Sequence, residues 1–276
     1  MKIQIPLPLS AGFFFDMKKA ETIEYIVNWL NSYCQKTVMN GFVVGVSGGI
    51  DSALTSTLCA MTGKKTLLIE MPIYQAPNQV TRAQNHMRML QEKFPNVSHE
   101  RVELTATFDG LLEALPKTEE GELKNLSLAN TRARLRMTTL YYFAGLNRLL
   151  VAGTGNKVED FGVGFFTKYG DGGVDISPIA DLYKTEVYAL AEVLGVGKDI
   201  LSAPPTDGLW GDDRNDEDQI GASYPELEWA MEFQGDAGQC TDRQKEVLAI
   251  YQRLNKQNQH KMHPIPVCIL PNELKK

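Results

Sequence analysis

Ser47-Gly48-Gly49-Ile50-Asp51-Ser52 sets two hydroxyls and a carboxylate around a pair of glycines. Adjacent glycines let backbone N–H groups come close to a ligand. N–H groups at the start of a helix attract anions. The turn therefore reads as a phosphate cradle. A plain connector would account for the Gly-Gly pair alone, but it has no use for hydroxyls on either side. Nor does it explain Asp51, whose charge repels phosphate unless a cation lies between them. Mg2+ takes carboxylate and phosphate oxygens together and is the ion this pattern implies.

Three more segments could do related chemistry. Arg132, Arg134 and Arg136 stand two apart on a helical stretch, where 132 and 136 share a face and 134 points elsewhere. One or two of them would serve equally well as surface ion-pair partners. Gly153-Thr154-Gly155-Asn156-Lys157-Val158-Glu159 repeats the pattern of a strand ending in a glycine turn. It brings a hydroxyl and a carboxylate toward the sheet edge that carries Asp51. Residues 165–175 then mix glycines with Phe165, Phe166, Lys168, Tyr169, Asp171 and Asp175, a composition closer to a ligand pocket than to a simple turn.

These segments must be placed by the elements around them. Val-rich residues 42–46 read as a buried strand, and Leu54, Leu58 and Met61 continue from Asp51 at helical spacing. Helices are expected at 20–33, from 80 until Pro95 ends it, at 126–146, at 185–194 and at 243–258. The last opens on a Thr241/Gln244 capping box. Strands are expected at 66–69, 102–104 and 149–152. Residues 203–223, with Pro204-Pro205 and acids from Asp212 to Asp218, read as a surface loop. Alternating strands and helices imply an α/β fold: a doubly wound, mostly parallel sheet with helices on both faces. Ligands in such folds sit at the carboxyl ends of the strands, where the Ser47 turn falls.

The 276 residues suit a single domain spanning 1–276. A net charge of -6 argues against general nucleic-acid binding. The cysteines, Cys34, Cys59, Cys240 and Cys268, form no C-x-x-C and suggest neither zinc nor a disulfide framework, and Cys59 reads as core. The N-terminus lacks the pattern of a signal peptide, and no apolar run reaches membrane-spanning length. A cytoplasmic protein with no membrane partner is the expectation.

The Ser47 turn, on its strand and helix, resembles the PP-loop of the ATP pyrophosphatases, the adenine nucleotide alpha hydrolase-like fold. The segments GVSGGIDS, NTRARLRM, GTGNKVE, FFTKYGDGGVD, LYKTEV, PPTDGLW and His260-Lys261, in this order, are similar to those of the ammonia-dependent NAD synthetase family across residues 20–265. The resemblance implies a ligase that amidates deamido-NAD with ammonia through an adenylate, consuming ATP and releasing AMP and pyrophosphate. It implies ATP binding by Gly45, Val46, Ser47, Gly48, Gly49, Ile50, Asp51 and Ser52, with Thr154, Lys184 and Thr206. Arg134, Lys168, Asp175, His260 and Lys261 match deamido-NAD contacts. Asp51 and Glu159 match Mg2+ ligands, and Asp51, Lys184 and Asp175 carry the catalytic roles. Asp175 fits a ribose hydroxyl or an incoming ammonium equally. The family further implies a homodimer, with part of the interface from the apolar N-terminal helix, and no glutaminase domain.

The chain departs from the family pattern in carrying one more residue between Glu159 and Phe165. The G-T-G-N-K-x-E spacing selects Glu159 as the metal ligand and leaves Asp160 to face solvent or cap a helix start. Other PP-loop enzymes remain as alternatives, such as GMP synthetase or a tRNA-modifying ligase, as does a nucleotide-sensing module that does not catalyse. The acidic charge counts against the tRNA enzyme, and the presence of both Asp51 and Glu159 counts against the sensor.

Overall fold

The computed structural model describes residues 17–206 and 215–275. Its sheet holds four parallel strands in the order β3-β2-β1-β4. They are β1 (Gly41–Gly45), β2 (Lys65–Glu70), β3 (Val97–Arg101) and β4 (Leu149–Val151). Side chains alternate across β1 because the strand repeat is two. Phe42 and Val44 pack on one side with α1 (Lys19–Lys36), α2 (Ile50–Met61) and α3 (Pro77–Lys93). Val43 packs on the other with α4 (Thr105–Ala114) and α5 (Glu122–Asn147). Parallel strands covered on both faces are the expected doubly wound α/β arrangement.

The chain leaves β1 toward β2 on one side, while β4 pairs on the other. The point where the strand order reverses therefore lies between the ends of β1 and β4. Such a switch point opens a crevice beyond the strand carboxyl ends. The Ser47 turn and the Gly153 turn face each other there. After β4 come a π-helix (Val158–Val163), α6 (Lys184–Val193) and α7 (Lys198–Leu201). Then follow α8 (Asp216–Ile220), α9 (Tyr224–Glu232) and α10 (Asp242–Met262). The π-helix, α9 and α10 share a third apolar cluster built on Val158, Tyr224, Leu227 and Val247. No described helix is long and apolar enough to cross a membrane.

Several elements differ from the sequence reading. The third strand is residues 97–101, not 102–104. Its Ser98-His99-Glu100-Arg101 run is exposed and lacks an apolar pattern, so pairing with β2 rather than burial defines it. The expected loop at 203–223 contains α8, whose start is capped by the Asn215 side chain accepting from Asp218 N–H at 2.7 Å. Three acids in its first turn suit the helix N-terminus. Residues 207–214 of that loop lie outside the described residues. The helices at 105–114 and 224–232 were not anticipated.

Candidate active site

The Ser47 turn enters α2 with its hydroxyls locked. Ser52 Oγ donates to Gly49 O at 3.0 Å, and Ser47 Oγ and Ser52 Oγ lie 3.2 Å apart. Gly48 has φ of +82°, and a Cβ there would meet Gln79 O of α3 at 2.5 Å. That position demands glycine because α3 crowds it and its backbone is left-handed. Gly48 therefore shapes the turn against α3, while Gly45, Val46, Ser47, Gly49, Ile50, Asp51 and Ser52 line a cavity of about 610 Å³.

At the inner end of this cavity three charged groups meet. Lys184, the first residue of α6, donates from Nζ to Asp51 Oδ2 at 2.6 Å and to Glu159 Oε1 at 2.9 Å. Lys184 is only 3% exposed, so its charge needs partners. Burial works against that charge, but the two carboxylates outweigh it and hold the ammonium above the ordinary lysine range. Burial pushes the Asp51 carboxyl up, and Lys184 and the Asn156 amide oppose the shift.

Asn156, fully buried, was missed by sequence reasoning. Its Nδ2 donates to Asp51 Oδ1 at 3.0 Å, while its Oδ1 accepts from Val158 and Glu159 N–H, both at 3.1 Å. One amide thus orients Asp51 and satisfies the first donors of the π-helix that carries Glu159. An Asn just before a helix is the signal that could have found it. Tyr224 was missed too: its hydroxyl donates to Glu159 Oε1 at 2.6 Å.

The π-helix carries Glu159 in its first turn. Glu159 stays facing Lys184 and Asp51. Asp160 is half-buried and makes no cap to the helix start, where the sequence had it facing solvent or capping. Its carboxylate is tucked against Gly155, where a Cβ would lie 2.2 Å from Oδ1. Burial, then the charges of Glu159, Asp171 and Asp51, raise its pKa to about 8.

Arg134, Lys168, His260 and Lys261 also line the cavity, as do Thr154 and Thr206. Arg134 donates to Lys168 O at 3.3 Å, and Lys168 donates to the His260 carbonyl. Lys261 donates to Gly164 O at 2.7 Å and Phe166 O at 2.8 Å, so its ammonium is engaged with backbone. Among the arginines, 134 and 136 reach the cavity, whereas Arg132 stacks over the Phe108 ring at 4.6 Å. The sequence had paired 132 with 136. Asp175 is held apart from the cavity lining, accepting from Val151 N–H at 2.8 Å and from Tyr141 OH at 3.0 Å. Asp171, four residues earlier, does line it.

Asp51 and Glu159 offer hard oxygen donors around a position already taken by a cation, the Lys184 ammonium. Among the described residues no three acidic, histidine or cysteine side chains close into a metal cage. Two carboxylates beside an anion-binding turn suit Mg2+, which keeps waters and shares phosphate oxygens. The residues present fit that ion.

The chain is similar to proteins of known name. An NH3-dependent NAD+ synthetase of Carboxydothermus hydrogenoformans is 37% identical over 246 residues, covering 87% of this chain and 94% of the relative. A structure of NMN synthetase from Francisella tularensis matches with a TM-score of 0.81 and 30% identity, covering 93% of this chain and all of that one. An NH3-dependent NAD synthetase from Campylobacter jejuni, in complex with nitrate, matches with a TM-score of 0.72 and 26% identity over 92% of this chain and 100% of that one. The family model described as NAD synthase matches residues 22–265, and the chain belongs to that family.

Proposed function

We propose that the chain makes NAD from deamido-NAD, ATP and ammonia. The nicotinate carboxylate attacks the α-phosphate of ATP, pyrophosphate leaves, and ammonia displaces AMP from the adenylate. What carries this reading is the Lys184 ammonium, held between Asp51 and Glu159 beside the Ser47 turn in the cavity that Lys168 and His260 also line.

The first-turn N–H groups of α2 and the hydroxyls of Ser47 and Ser52 receive the departing pyrophosphate. Lys184 brings a fixed charge to the phosphates, where preorganised cations are most effective. Asp51 and Glu159 would hold Mg2+, which when bound neutralises charge on the leaving group. Thr154 and Thr206 flank the ATP end. Arg134, Lys168 and His260 hold the acceptor nucleotide, with Lys261 behind them. Asp175, bonded to the β4 backbone and to Tyr141, supports the site from outside the cavity lining. The nitrogen source is free ammonia, and the cytoplasm is the compartment that goes with these substrates.

A second reading is favoured by one observation. The fold superposes on the Francisella tularensis NMN synthetase at a TM-score of 0.81, against 0.72 on the Campylobacter jejuni NAD synthetase. In that reading the acceptor is nicotinate mononucleotide, and the ATP chemistry is unchanged. Supplying each acceptor in turn with ATP, Mg2+ and ammonium, and measuring amidated product and pyrophosphate, decides between them. Neither acceptor giving product sinks both readings. Glutamine in ammonia-free buffer supporting a comparable rate sinks the free-ammonia assignment.

We also propose a homodimer. α5 buries only Ala129, Ala133 and Ala144 while exposing Tyr142 and Leu146, and α1 exposes Tyr25 and Trp29. Apolar helix faces of this kind are what a subunit interface covers. Sedimentation giving a monomer at micromolar concentration would remove this proposal.

A further inference from the structure

Tyr224 stands where the two halves of the reaction site are joined. It begins α9 and is 3% exposed, within the apolar cluster of Val158, Leu227 and Val247. Phenylalanine would satisfy that packing. The hydroxyl is instead aimed at carboxylates: it lies 2.6 Å from Glu159 Oε1 and 3.3 Å from Asp216 Oδ2. A phenol has one proton to donate, and the shorter contact takes it. The ring face meets the Lys184 ammonium, with Nζ 4.7 Å from the centroid. Tyr224, Glu159 and Lys184 therefore form a closed triangle in which each group touches the other two.

The triangle is rigid on the Tyr224 side. Its N–H donates to Glu217 Oε1 at 2.9 Å, and the preceding Ser223 forms a capping box with Glu226. Glu159 Oε1 is shared, since Lys184 also donates to it. A phosphate that shares the Lys184 ammonium weakens its hold on Glu159, and the Tyr224 hydrogen bond to Glu159 remains. The ring keeps the ammonium in place, through the attraction of a cation to an aromatic face.

We infer that Tyr224 is a positioning residue that presents Glu159 to the metal while Lys184 is shared with the nucleotide; the inference rests on the metal reading above. Partners that hold a metal-binding carboxylate typically change metal affinity or activity 10–100-fold when lost.

The test uses the full chain and Mn2+ as the probe, titrated by electron paramagnetic resonance in the presence of ATP. Tyr224→Phe weakens Mn2+ binding about tenfold and raises the KM for ATP, with the KM for the acceptor unmoved. In a Glu159→Gln background the same substitution adds nothing, because the hydroxyl acts through Glu159. Mn2+ affinity within about twofold of the parent overturns the inference. So does a tenfold loss that persists in the Glu159→Gln background. A Tyr224→Phe chain without a cooperative thermal transition shows that the hydroxyl serves the fold, which also overturns it. A parent chain that binds no Mn2+ with ATP removes the metal reading itself, and this inference with it.

Discussion

Lys184 Nζ lies 2.6 Å from Asp51 Oδ2, although 133 residues separate them in the chain. The contact ties the start of α6 to the start of α2, so the phosphate turn and its counter-charge come from different halves of the fold. Lysine is rarely buried this deeply, and here it is 3% exposed. Lys184→Met therefore has two consequences. Turnover falls by on the order of 10²-fold through loss of a preorganised charge. The variant also leaves Asp51 and Glu159 facing each other without a cation, and breaking a buried pair in this way costs about 3 kcal/mol. Thermal unfolding with and without Mg2+ checks it: the midpoint drops, and Mg2+ recovers more of it in the variant than in the parent. Unchanged stability together with parental turnover would refute the role.

The neighbours Glu159 and Asp160 differ in kind. Glu159→Gln removes most Mg2+-dependent pyrophosphate release, while Asp160→Asn stays within several-fold of the parent. The second substitution shows itself in pH dependence. An Asp that is ordinarily near 3.8 sits at about 8 in the folded chain. Its contribution to stability is full below the ordinary value and is lost as pH rises through 8, because the folded state prefers the proton. Asp160→Asn flattens that decline between about pH 4 and pH 8. Urea midpoints across this range should converge at the acid end and favour the variant at the alkaline end. Parallel curves would mean that Asp160 does not titrate as its surroundings dictate.

His86 gives the opposite slope. Its Nε2 pairs with Ser56 Oγ at 2.9 Å, while its Nδ1 is buried without a partner. Burial lowers its pKa from 6.5 to about 4. The folded chain prefers the neutral ring, so this contribution is present above pH 6.5 and is lost as pH falls to 4. The shift corresponds to roughly 3 kcal/mol at the acid limit. His86→Gln should be the less acid-sensitive protein by urea unfolding. Equal acid limbs in both proteins would show that the ring is hydrated in solution.

The turn at Ser47 and the carboxylate of Glu159 were singled out in the sequence, and the structure brings both to one cavity. The strands of the core were legible because Val43, Val44 and Leu68 are apolar where nothing else fits. What the sequence did not disclose was long-range pairing. Asn156 looks like a turn residue until Asp51 is seen beside it. Asp171 and Asp175 share a segment of similar composition, and only the path of the chain brings the first to the cavity and the second to Tyr141. β3 lacked any apolar period because an edge strand is defined by its neighbour.

Asn255, Asn258 and Lys261 stand three apart on α10 and donate to Gly162, Val163 and Gly164 carbonyls at 2.7, 2.8 and 2.7 Å. One face of the helix thus grips three consecutive peptide groups at the end of the π-helix. The residues just beyond, Phe165, Phe166 and Lys168, line the cavity on the side proposed for the acceptor. Asn255 does not itself line that cavity, so its effect on the acceptor must pass through the gripped backbone. Asn255→Ala leaves the Gly162 carbonyl short of a donor, a loss of about 1 kcal/mol. Part of it should appear as a severalfold rise in the KM for the acceptor nucleotide, with the KM for ATP unmoved. Lys261→Met, which frees two carbonyls, should give the larger rise. Steady-state kinetics with each substrate varied in turn measures both. A rise of equal size for ATP and acceptor would mean that α10 supports the whole cavity rather than its acceptor end.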